Sequence, residues 1–552
     1  MSEIQKSGSR LAPATLLASV VAVAICLFGN LGAIGLVGPD EPRYAWIARA
    51  MAQTGDWVTP RLYGQPWFEK PILYYWAAAA GFHLRLPAEW AARLPSALAA
   101  LAAALAIGWL GRKHYGGDTS SLASPALLAP LLFSSSVAAI GFARSAGPDM
   151  LFAASITLAM ASAARLFRRA GALRGESATS RSDSLPLLLF GCFLGLAALA
   201  KGPAAVVLAG GTIGLWAIAT GQWRAAFRAA HPVAIAAFCV VALPWYVVCA
   251  LRNPDFIRVF IFQHNFQRYL TPLFQHRQPF WFFGPILLLA LLPWTALLWP
   301  ATEEALRMWR EHSWKNSPGL FFACWTAFPV LFFSLSQSKL PGYILPAIPP
   351  MALLLAVALA RATGTNSATQ QRSLRTIGVA LGITWIVLGI VAMVWASRLP
   401  QTARDAAGRP IFITAILAIA GGIGVAAIAL LHRRAFIALA LALAVLCVAA
   451  AGLRILPALD ASFSARWHGQ LLRDDARPDR IFTYRLQRSW IYGLEFYLGR
   501  EIDEWSQADR ESALVLTTPG GLREMRRLGR VHGDLEESYR GIVYAPVAPA
   551  TH

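Results

Sequence analysis

Long apolar runs that contain no acidic or basic residue recur through most of this chain. The first occupies residues 12–37, and others of similar length follow at short intervals. A helix needs about 20 predominantly apolar residues to cross a bilayer. Because lipid cannot satisfy exposed backbone polar groups, such runs must pair these groups internally, as helices do. The chain is therefore predicted to be a mainly α-helical, polytopic membrane protein.

The composition agrees with this class. Of the 552 residues, 57% are hydrophobic and 14% are charged, with a mean hydropathy of +0.50, whereas soluble domains carry about 25% charged residues. The net charge of +20 does not indicate nucleic-acid binding, because most Lys and Arg residues lie in short loops between apolar runs. The six cysteines all lie within apolar runs and form no CxxC pair, so we expect small buried side chains.

About 13 transmembrane helices are predicted from the apolar runs. The first follows Lys6 and Arg10 and is too long for the core of a cleaved signal peptide, so we expect a retained helix. Only Lys201-Gly202-Pro203 separates the fifth span from the sixth. This predicts a tight turn at a membrane face, since a lysine in mid-membrane is costly and Gly-Pro breaks a helix. The spans lie near residues 12–37, 89–111, 121–142, 149–167, 185–200, 202–220, 229–251, 280–300, 317–337, 343–361, 376–397, 410–431 and 435–456.

The loop charges orient these helices. With the N-terminus inside, the inner loops are basic throughout, as the positive-inside rule requires. An odd number of spans then places residues 457–552 on the outer face, together with a long first outer loop at residues 38–88. In that tail the apolar segments RIFTY and SALVLTT alternate with helix-like segments such as PGGLREMRRLGR, which predicts a small α/β domain. The predicted domains are 1–456, in the membrane, and 457–552, outside it.

Cations also collect in the outer loops, where the topology rule disfavours them. They indicate an anionic ligand on that face, because Arg and Lys are the usual partners of phosphate. The alternative is that these side chains snorkel at the helix ends. The phosphate-binding candidates are Lys70, Arg144, Lys201, Arg268 and Lys339.

The first outer loop is too long for a simple connector. It contains GPDEPRYAWIARAMAQTGDWVTPRLYGQPWFEKPILYYW, in which PRYAWIARAMAQ and KPILYYWAAAAG have apolar residues at helical spacing and predict interfacial helices. Asp40 is the candidate catalytic carboxylate, and the further substrate-binding candidates are Arg43, Tyr44, Tyr63 and Tyr74. Two alternatives stand beside these roles: the aromatic residues form an interfacial belt, and Asp40 caps the following helix.

Several of these segments together resemble a known family. DEPRYA, GDW and FEKP in the first loop, followed by RSAGPDM, ALAKGPA and SQSKLPGYILP, resemble in the same order the outer-loop segments of the 4-amino-4-deoxy-L-arabinose lipid A transferases. These are integral-membrane glycosyltransferases of the GT-C class, related to the protein O-mannosyltransferases. The similarity covers roughly residues 35–350, while the last three helices and the tail agree only in length and layout.

The resemblance implies a GT-C fold of 13 helices with an outer soluble domain. It implies transfer of the amino-sugar from an undecaprenyl phosphate carrier to lipid A phosphates, at the periplasmic face of a bacterial inner membrane. Asp40 is then the general base or the group that orients the acceptor, and Lys70 and Lys339 are the favoured phosphate ligands because both lie in matching motifs. Tyr343 and Asp149 are further substrate-binding candidates, with an interfacial belt and an N-cap as their respective alternatives. A single displacement at the anomeric carbon implies inversion.

Glu69 and His264 are candidate ligands of a divalent ion such as zinc, since carboxylate and imidazole both suit that metal. The alternatives are an ordinary loop histidine and an ion pair of Glu69 with Lys70 or Arg43. Because Lys and Arg side chains can hold a monophosphate donor, we expect that catalysis requires no metal cofactor.

Two rival functions also fit the residues. A GT-C transferase of this layout would equally move a polyprenyl-phosphate-linked sugar to a protein, a wall polymer or another lipid. A transporter of the lipid-linked sugar fits less well, because transporters place polar groups near the membrane midplane, whereas these charges lie on one face. The expected partners are the undecaprenyl phosphate donor, the lipid A acceptor and membrane lipids, without nucleic acid, and a monomer is expected. Adding an amine would make lipid A less anionic, which predicts resistance to polymyxin and other cationic peptides.

Overall fold

The computed structural model describes most of the chain, and within this part helices predominate beside two small sheets. Arg268, one of the predicted phosphate ligands, lies outside the described residues. The mainly α class predicted from the apolar runs is confirmed. The described residues are 13–116, 122–172, 184–267, 269, 278–364, 368–431, 435–474, 480–506, 512–531, 537–539 and 542–547.

The α-helices are numbered in chain order. Helices α1 to α11 are Pro13–Phe28, Asp40–Thr54, Leu73–His83, Ala88–Tyr115, Pro125–Ser134, Val137–Ala143, Asp149–Ala172, Ser184–Lys201, Ala204–Thr220, Trp223–Phe227 and Pro232–Arg252. Helices α12 to α22 are Phe283–Ala290, Leu298–Arg310, Pro318–Ser334, Ile348–Gly364, Ala368–Ser397, Gln401–Leu431, Ala435–Ala450, Leu456–Phe463, Arg466–Asp474, Arg488–Leu498 and Pro519–Arg527. Strands β1 to β6 are Arg61–Leu62, Gln65–Pro66, Ile481–Tyr484, Ala513–Thr517, Glu537–Tyr539 and Ile542–Val547.

Short π and 3₁₀ segments join some of these helices. The π-helical segments are Ile257–Gln267 and Ala451–Ile455. The 3₁₀ segments are Arg228–Ala230, Phe280–Phe282, Trp294–Leu297, Trp314–Asn316 and Pro341–Ala347.

Among the described residues, 8 helices are long and apolar enough to cross a bilayer, or up to 10 if each of two bent pairs is one span. The bent pairs are Pro125–Ser134 with Val137–Ala143, at 63°, and Phe280–Ala290 with Trp294–Arg310, at 108°. Shorter apolar helices lie at Ala14–Phe28, Ala204–Thr220 and Pro318–Ser334. Every predicted span therefore contains an apolar helix. The total of about 13 spans stays a prediction, because these three shorter helices have fewer residues than a bilayer crossing ordinarily needs.

The spans differ in how much of their surface the protein itself covers. In Asp149–Phe167, 89% of the most apolar window is buried inside the molecule, whereas in Gln401–Leu431 only 28% is buried. Apolar side chains such as Ile413, Ile423 and Leu431 project outward there. Because so much exposed apolar surface is unfavourable in water, the peripheral helices require surrounding lipid, and α7 lies in the centre of the bundle.

The first outer loop folds as two helices joined by a short hairpin. Helix α2 lies between Gly38, with φ +68°, and Gly55, with φ +73°, conformations that glycine adopts without strain. The strands β1 and β2 then pair antiparallel, and α3 packs against α2. Both helices predicted in this loop are therefore confirmed, while their position at the membrane interface stays a prediction.

The turn predicted between the fifth and sixth spans is also confirmed. Helix α8 ends at Lys201 and α9 begins at Ala204. Between them Gly202 has φ +85°, which a residue with a side chain adopts only with strain. This turn places the Lys201 ammonium at the end of the helix rather than among its apolar side chains.

The tail contains a four-stranded mixed sheet in the order β3-β4-β6-β5. Strand β3 is parallel to β4, and β6 is antiparallel to both of its neighbours. The predicted segments RIFTY and SALVLTT form β3 and β4, and PGGLREMRRLGR contains α22. One apolar helix runs continuously from Ala435 to Phe463, across the predicted boundary at residue 456, so the domain boundary and its outer location stay predictions.

Helices α16 and α17 pack along their lengths at a contact between two glycines. A Cβ atom on Gly382 would lie 2.5 Å from the carbonyl oxygen of Gly422, and one on Gly422 would lie 2.6 Å from that of Gly382. Membrane helices approach this closely only where the facing residues are small.

We predict that Gly382→Ala destabilises the protein by about 1–3 kcal/mol, because the added methyl group forces the two backbones apart. The matched control is Gly210→Ala in α9, where a Cβ meets no atom within 4 Å, and where alanine should be neutral or slightly stabilising. Thermal unfolding of both variants in detergent measures the difference. Equal midpoints would show that the helix contact tolerates a side chain.

Candidate active site

Asp40 is the first residue of α2, yet its carboxylate does not cap that helix. Pro39 occupies the N-cap position, and the cap has no side-chain hydrogen bond. Instead Nη2 of Arg43 donates to Oδ1 of Asp40 over 2.5 Å, and the Asp40 side chain is 62% exposed. The capping alternative is therefore wrong, and the carboxylate is held at one oxygen while facing open space.

Charges of alternating sign lead from Asp40 to Lys70. Nη2 of Arg43 contacts Oε2 of Glu69 at 2.9 Å as well as Asp40, and Nζ of Lys70 lies 3.3 Å from Oε1 of Glu69. The guanidinium of Arg43 also lies beside the rings of Tyr44 and Trp67, at 5.4 and 5.5 Å. Arg43 is thus fixed as a bridge between two carboxylates, and the ion pairs considered for Glu69 with Arg43 and Lys70 both form.

A buried ion pair fixes the segment that precedes Asp40. Nη2 of Arg93 donates to Oε2 of Glu41 over 2.7 Å, and the exposed fractions of the two side chains are 3% and 7%. Arg93 also donates to the carbonyl oxygens of residues 31, 34 and 35, while Glu41 accepts from the backbone N–H groups of residues 37 and 146. The two charged groups are buried and their backbone partners are buried or half-buried, so the pair determines where the Asp40 segment lies.

Sequence reasoning missed both members of this pair. The signal was available, because Arg93 is a basic residue at the start of an apolar span, where an ionisable side chain requires a partner. Glu41 directly follows the candidate Asp40 in the sequence, but its role depends on Arg93, which lies 52 positions away.

The tail supports the same segment from the other side. The backbone N–H of Leu36 donates to the Tyr497 hydroxyl over 2.8 Å, which in turn donates to Oε1 of Glu89 over 2.8 Å. The N–H of Gly35 donates to Oδ1 of Asp460 over 2.7 Å. A Cβ on Gly35 would lie 2.5–2.7 Å from the side-chain oxygens packed there, so only glycine fits. These tail contacts had no signal in the sequence, because more than 400 positions separate the partners.

A cavity of about 410 Å³, here called the lysine cavity, lies on the Lys70 side of the charge chain. Its polar lining includes Glu69, Lys70, Lys201, His264 and Tyr343, and its apolar lining includes Phe152, Val207, Phe260, Phe332 and Phe333. Two ammonium groups thus face the same space as a wall of aromatic and aliphatic side chains. Such a lining suits an amphiphile that has an anionic group attached to an apolar chain.

Lys201 is held in place by Asp149 and by aromatic rings. Its Nζ lies 2.5 Å from Oδ1 of Asp149 and 5.3 Å from the centre of the Tyr343 ring. Asp149 begins α7, so the segments RSAGPDM, ALAKGPA and SKLPGY meet at one place. The structure therefore brings together Lys70, Lys201, Asp149 and Tyr343 from different parts of the sequence.

A second cavity, of about 420 Å³ and here called the aspartate cavity, contains Asp40. Asn30, Arg144, Ser145 and Leu456 also line it, and the Glu41–Arg93 pair forms part of its wall. Asp40 therefore lies between the aspartate cavity and the charge chain that leads to the lysine cavity. A carboxylate in this position can act on a group in the aspartate cavity while a phosphate occupies the lysine cavity.

Other predicted residues lie away from both cavities. Tyr44 and Tyr74 are buried, and the Tyr74 hydroxyl donates to the carbonyl oxygen of Ala92. The Tyr63 hydroxyl donates to Oε2 of Glu495 in the tail. The geometry favours structural roles for these three tyrosines, and substrate binding by them stays a prediction.

Lys339 is also engaged with the protein itself. Its Nζ donates to the carbonyl oxygens of Gln278, over 3.0 Å, and Ser336, over 2.5 Å. Desolvation lowers the pKa of this ammonium group below its ordinary value. The geometry thus favours a role in holding the loop, and phosphate binding by Lys339 stays a prediction.

Glu69 and His264 both line the lysine cavity. Within the described part of the chain, no group of three or more His, Cys, Asp or Glu side chains is placed to hold a metal ion. The Glu69 carboxylate already contacts two cations, so these residues offer two zinc ligands in competition with ion pairs. Zinc binding there stays a prediction.

The surroundings of Asp40 alter its acidity. Although its side chain is 62% exposed, the nearby protein displaces enough solvent to raise the pKa of the carboxyl above its ordinary value of 3.8. The Arg43 guanidinium opposes this rise in pKa, and the Glu69 carboxylate adds to it. A raised pKa makes the carboxylate a better proton acceptor near neutral pH.

The comparisons with known proteins agree with this arrangement. The family model of the dolichyl-phosphate-mannose-protein mannosyltransferases matches residues 13–260. An undecaprenyl phosphate-alpha-4-amino-4-deoxy-L-arabinose arabinosyl transferase from Edwardsiella ictaluri is 33% identical over 356 residues, covering 64% of this chain and 61% of the relative. The protein of the same name from Erwinia tasmaniensis is 34% identical over 348 residues, covering 62% and 59%. The alignments thus span about three fifths of the length of these curated relatives.

A solved structure extends the similarity to the whole fold. The crystal structure of ArnT from Cupriavidus metallidurans bound to undecaprenyl phosphate superimposes with a TM-score of 0.77. The match covers 97% of this chain and 98% of that one at 21% sequence identity. The resemblance stated from the sequence motifs is confirmed, and the chain shares the fold of this ArnT structure.

We predict that Arg93→Leu destabilises the protein by about 3–5 kcal/mol, because it leaves the Glu41 carboxylate buried without its cation. The matched control is Arg258→Leu, which removes an ion pair whose two side chains are 67% and 70% exposed and should change stability by less than about 1 kcal/mol. Thermal unfolding in detergent compares the variants. Similar midpoints would show that the buried pair does not hold the segment.

Proposed function

We propose that this chain, which shares the fold of ArnT and is similar in sequence to aminoarabinose transferases, transfers 4-amino-4-deoxy-L-arabinose from undecaprenyl phosphate to lipid A phosphates. The single observation that supports this most is the lysine cavity. It presents two ammonium groups and an aromatic wall in one space, joined by the Arg43–Glu69 charge chain to the exposed carboxylate of Asp40. The sugar and its carrier come from the names of the similar relatives, and lipid A as the acceptor comes from the family resemblance of the sequence motifs.

The donor carries an anionic phosphate on an apolar prenyl chain, and the lysine cavity offers ammonium groups beside an aromatic wall. Lys70 contacts Glu69 only at 3.3 Å, so its ammonium can turn toward a phosphate without losing a short hydrogen bond. Lys201, held by Asp149, supplies a second positive charge in a fixed position. The aromatic wall contacts the first units of the prenyl chain, whose remainder extends into lipid.

The reaction is one displacement at the anomeric carbon. An oxygen of the acceptor phosphate forms the new C–O bond, and the bond from carbon to the carrier phosphate breaks. The electron pair leaves with undecaprenyl phosphate, which gains a negative charge as the acceptor phosphate loses one. Lys70 and Lys201 stabilise this charge as it develops. The displacement inverts the configuration of the anomeric carbon.

Asp40 orients the acceptor and accepts a proton when the acceptor phosphate carries one. Its raised pKa suits the second task. The carboxylate also stabilises positive charge that develops on the sugar ring in the transition state.

No step in this reaction is assigned to a metal, because Lys70 and Lys201 supply the positive charge that the leaving phosphate requires. The chain acts as a monomer in the bacterial inner membrane. Its catalytic cavities and tail lie on the periplasmic side, and its basic inner loops lie on the cytoplasmic side, as the positive-inside rule requires. The product is a less anionic lipid A, which binds polymyxin and other cationic antimicrobial peptides less well.

We predict that a Gram-negative strain that makes the donor but lacks its own transferase gains aminopentose-modified lipid A when it expresses this chain. Asp40→Asn should abolish the added mass because the amide has no negative charge and cannot accept a proton. The matched control is Asp255→Asn, an exposed carboxylate with a side chain 70% exposed, which should retain modification. Mass spectra of lipid A measure both.

Each other outcome of that experiment has a definite meaning. If normally expressed wild type adds no mass to lipid A, the acceptor is a different molecule and the proposal fails. If Asp40→Asn still modifies lipid A, the transfer stands and Asp40 has no catalytic role.

We predict that Lys70→Met raises the KM for the donor about tenfold or more, because a charge-assisted hydrogen bond to phosphate contributes about 1.5–3 kcal/mol. The matched control is Lys339→Met. Since the Lys339 ammonium binds backbone carbonyl oxygens, this change should lower the unfolding midpoint and leave the donor KM within about twofold. Steady-state transfer in detergent gives both constants, and the reverse pattern would assign the phosphate to Lys339.

A further inference from the structure

The aspartate cavity contains a cation that the reaction described so far does not use. Nε and Nη2 of Arg144 are buried and make no hydrogen bond to any residue the structure describes. Arg144 also has no ion pair in that part of the chain. Two buried guanidinium nitrogens without hydrogen-bonding partners are costly, so a ligand that accepts hydrogen bonds from them would bind favourably.

The other charges around this cavity are already compensated. Glu41 and Arg93 neutralise one another at 2.7 Å, and Asp40 is paired with Arg43 at 2.5 Å. Arg144 therefore gives the aspartate cavity a positive charge. In the lysine cavity, by contrast, Glu69 contacts Lys70, and Asp149 contacts Lys201.

The guanidinium of Arg144 is held in position by two close glycines. A Cβ on either Gly29 or Gly452 would lie 3.4 Å from Nη2 of Arg144. Gly29 directly follows α1, and Gly452 lies in the π-helical segment Ala451–Ile455 of the helix that leads into the tail. The guanidinium is thus confined between two backbones, and little conformational freedom is lost when a ligand binds.

The location also suits a lipid with a charged headgroup. Asn30, Asp40 and Gly141 on the cavity rim are exposed, whereas Leu31, Ala33 and Leu456 give it apolar surface. The cavity lies where three apolar helices, α1, α6 and Ala435–Phe463, meet the polar loops. A headgroup can therefore occupy it while apolar chains stay beside these helices.

We propose that the aspartate cavity is the acceptor site, in which Arg144 binds the phosphate of the acceptor lipid and directs a phosphate oxygen toward Asp40. This inference rests on the proposed function. It places the acceptor and the donor phosphate in different cavities, with Asp40 between them, as a displacement requires when the two groups approach the anomeric carbon from opposite sides. The ligand class is a phosphomonoester on a multiply acylated lipid.

Direct binding tests this proposal without reference to activity. Native mass spectrometry in detergent measures the Kd of the purified full-length chain for phosphorylated lipid A and for lipid A from which the phosphates have been removed. Wild type should bind the phosphorylated form about tenfold more tightly, because Arg–phosphate hydrogen bonds are charge-assisted. Arg144→Gln should remove this preference and leave binding of undecaprenyl phosphate within about twofold.

A second variant covers the case in which Arg144→Gln does not fold. Gly141 lies on the rim in α6, where a Cβ would meet no atom within 4 Å, so Gly141→Phe should fold and obstruct the cavity. The matched control is Gly284→Phe in α12, which also has open space around it and lies outside the cavity lining. We expect Gly141→Phe to raise the lipid A Kd about tenfold and Gly284→Phe to leave it unchanged.

The results separate this inference from the proposed function. If wild type modifies lipid A but both cavity variants bind phosphorylated lipid A as wild type does, the acceptor site is elsewhere and the inference fails alone. If undecaprenyl phosphate binding falls in parallel with lipid A binding, the cavity serves the donor and the inference also fails. If wild type modifies no lipid A yet shows the Arg144-dependent phosphate preference, the proposed transfer fails and the binding site stands.

Discussion

The buried pair of Glu41 and Arg93 is the interaction on which the rest of the site depends. Bringing two charges out of water is costly, and the cost is recovered only when both groups are fully hydrogen-bonded. Here the guanidinium binds three backbone carbonyl oxygens and the carboxylate accepts two backbone N–H groups. The pair therefore organises an irregular segment that has no helix or sheet to satisfy its own polar groups, and it fixes the position of Asp40, the residue before Glu41.

The remaining charges follow one arrangement of alternating sign. Asp40, Arg43, Glu69 and Lys70 each contact a neighbour of opposite charge, and Asp149 and Lys201 form a separate pair. Such alternation keeps ionised groups beside a membrane at a low energetic cost and holds each in a defined orientation. Arg144 does not take part in these ion pairs among the described residues, so its positive charge is available to a ligand in the aspartate cavity. In the lysine cavity, Lys70 and Lys201 already contact carboxylates, and a phosphate must compete with Glu69 and Asp149 for them.

Part of the site was readable from the sequence and part was not. The sequence motifs that contain Lys70, Asp149, Lys201 and Tyr343 are predicted to lie in outer loops, and these four residues do converge. Lys339 lies in a matching motif as Lys70 does, yet its ammonium group donates to two backbone carbonyl oxygens. Motifs identify residues near a site, whereas the direction of a side chain depends on which acceptors happen to lie within its reach. The helix cap considered for Asp40 also rests on sequence spacing alone. Spacing cannot show that the Asp40 carboxylate accepts a hydrogen bond from Arg43 and none from the helix N-terminus.

By itself, the sequence determined that this chain is a bundle of membrane helices with its charges mainly in the loops between them. The reason is that apolar length and loop charge are properties of single segments, and each segment meets the bilayer independently. Only the tertiary structure decided which charges neutralise one another, that the tail binds Gly35 and Leu36, and that Asp40 separates two cavities. Those outcomes depend on contacts between groups as far apart in the chain as Leu36 and Tyr497, and such contacts are formed by the packing of whole helices.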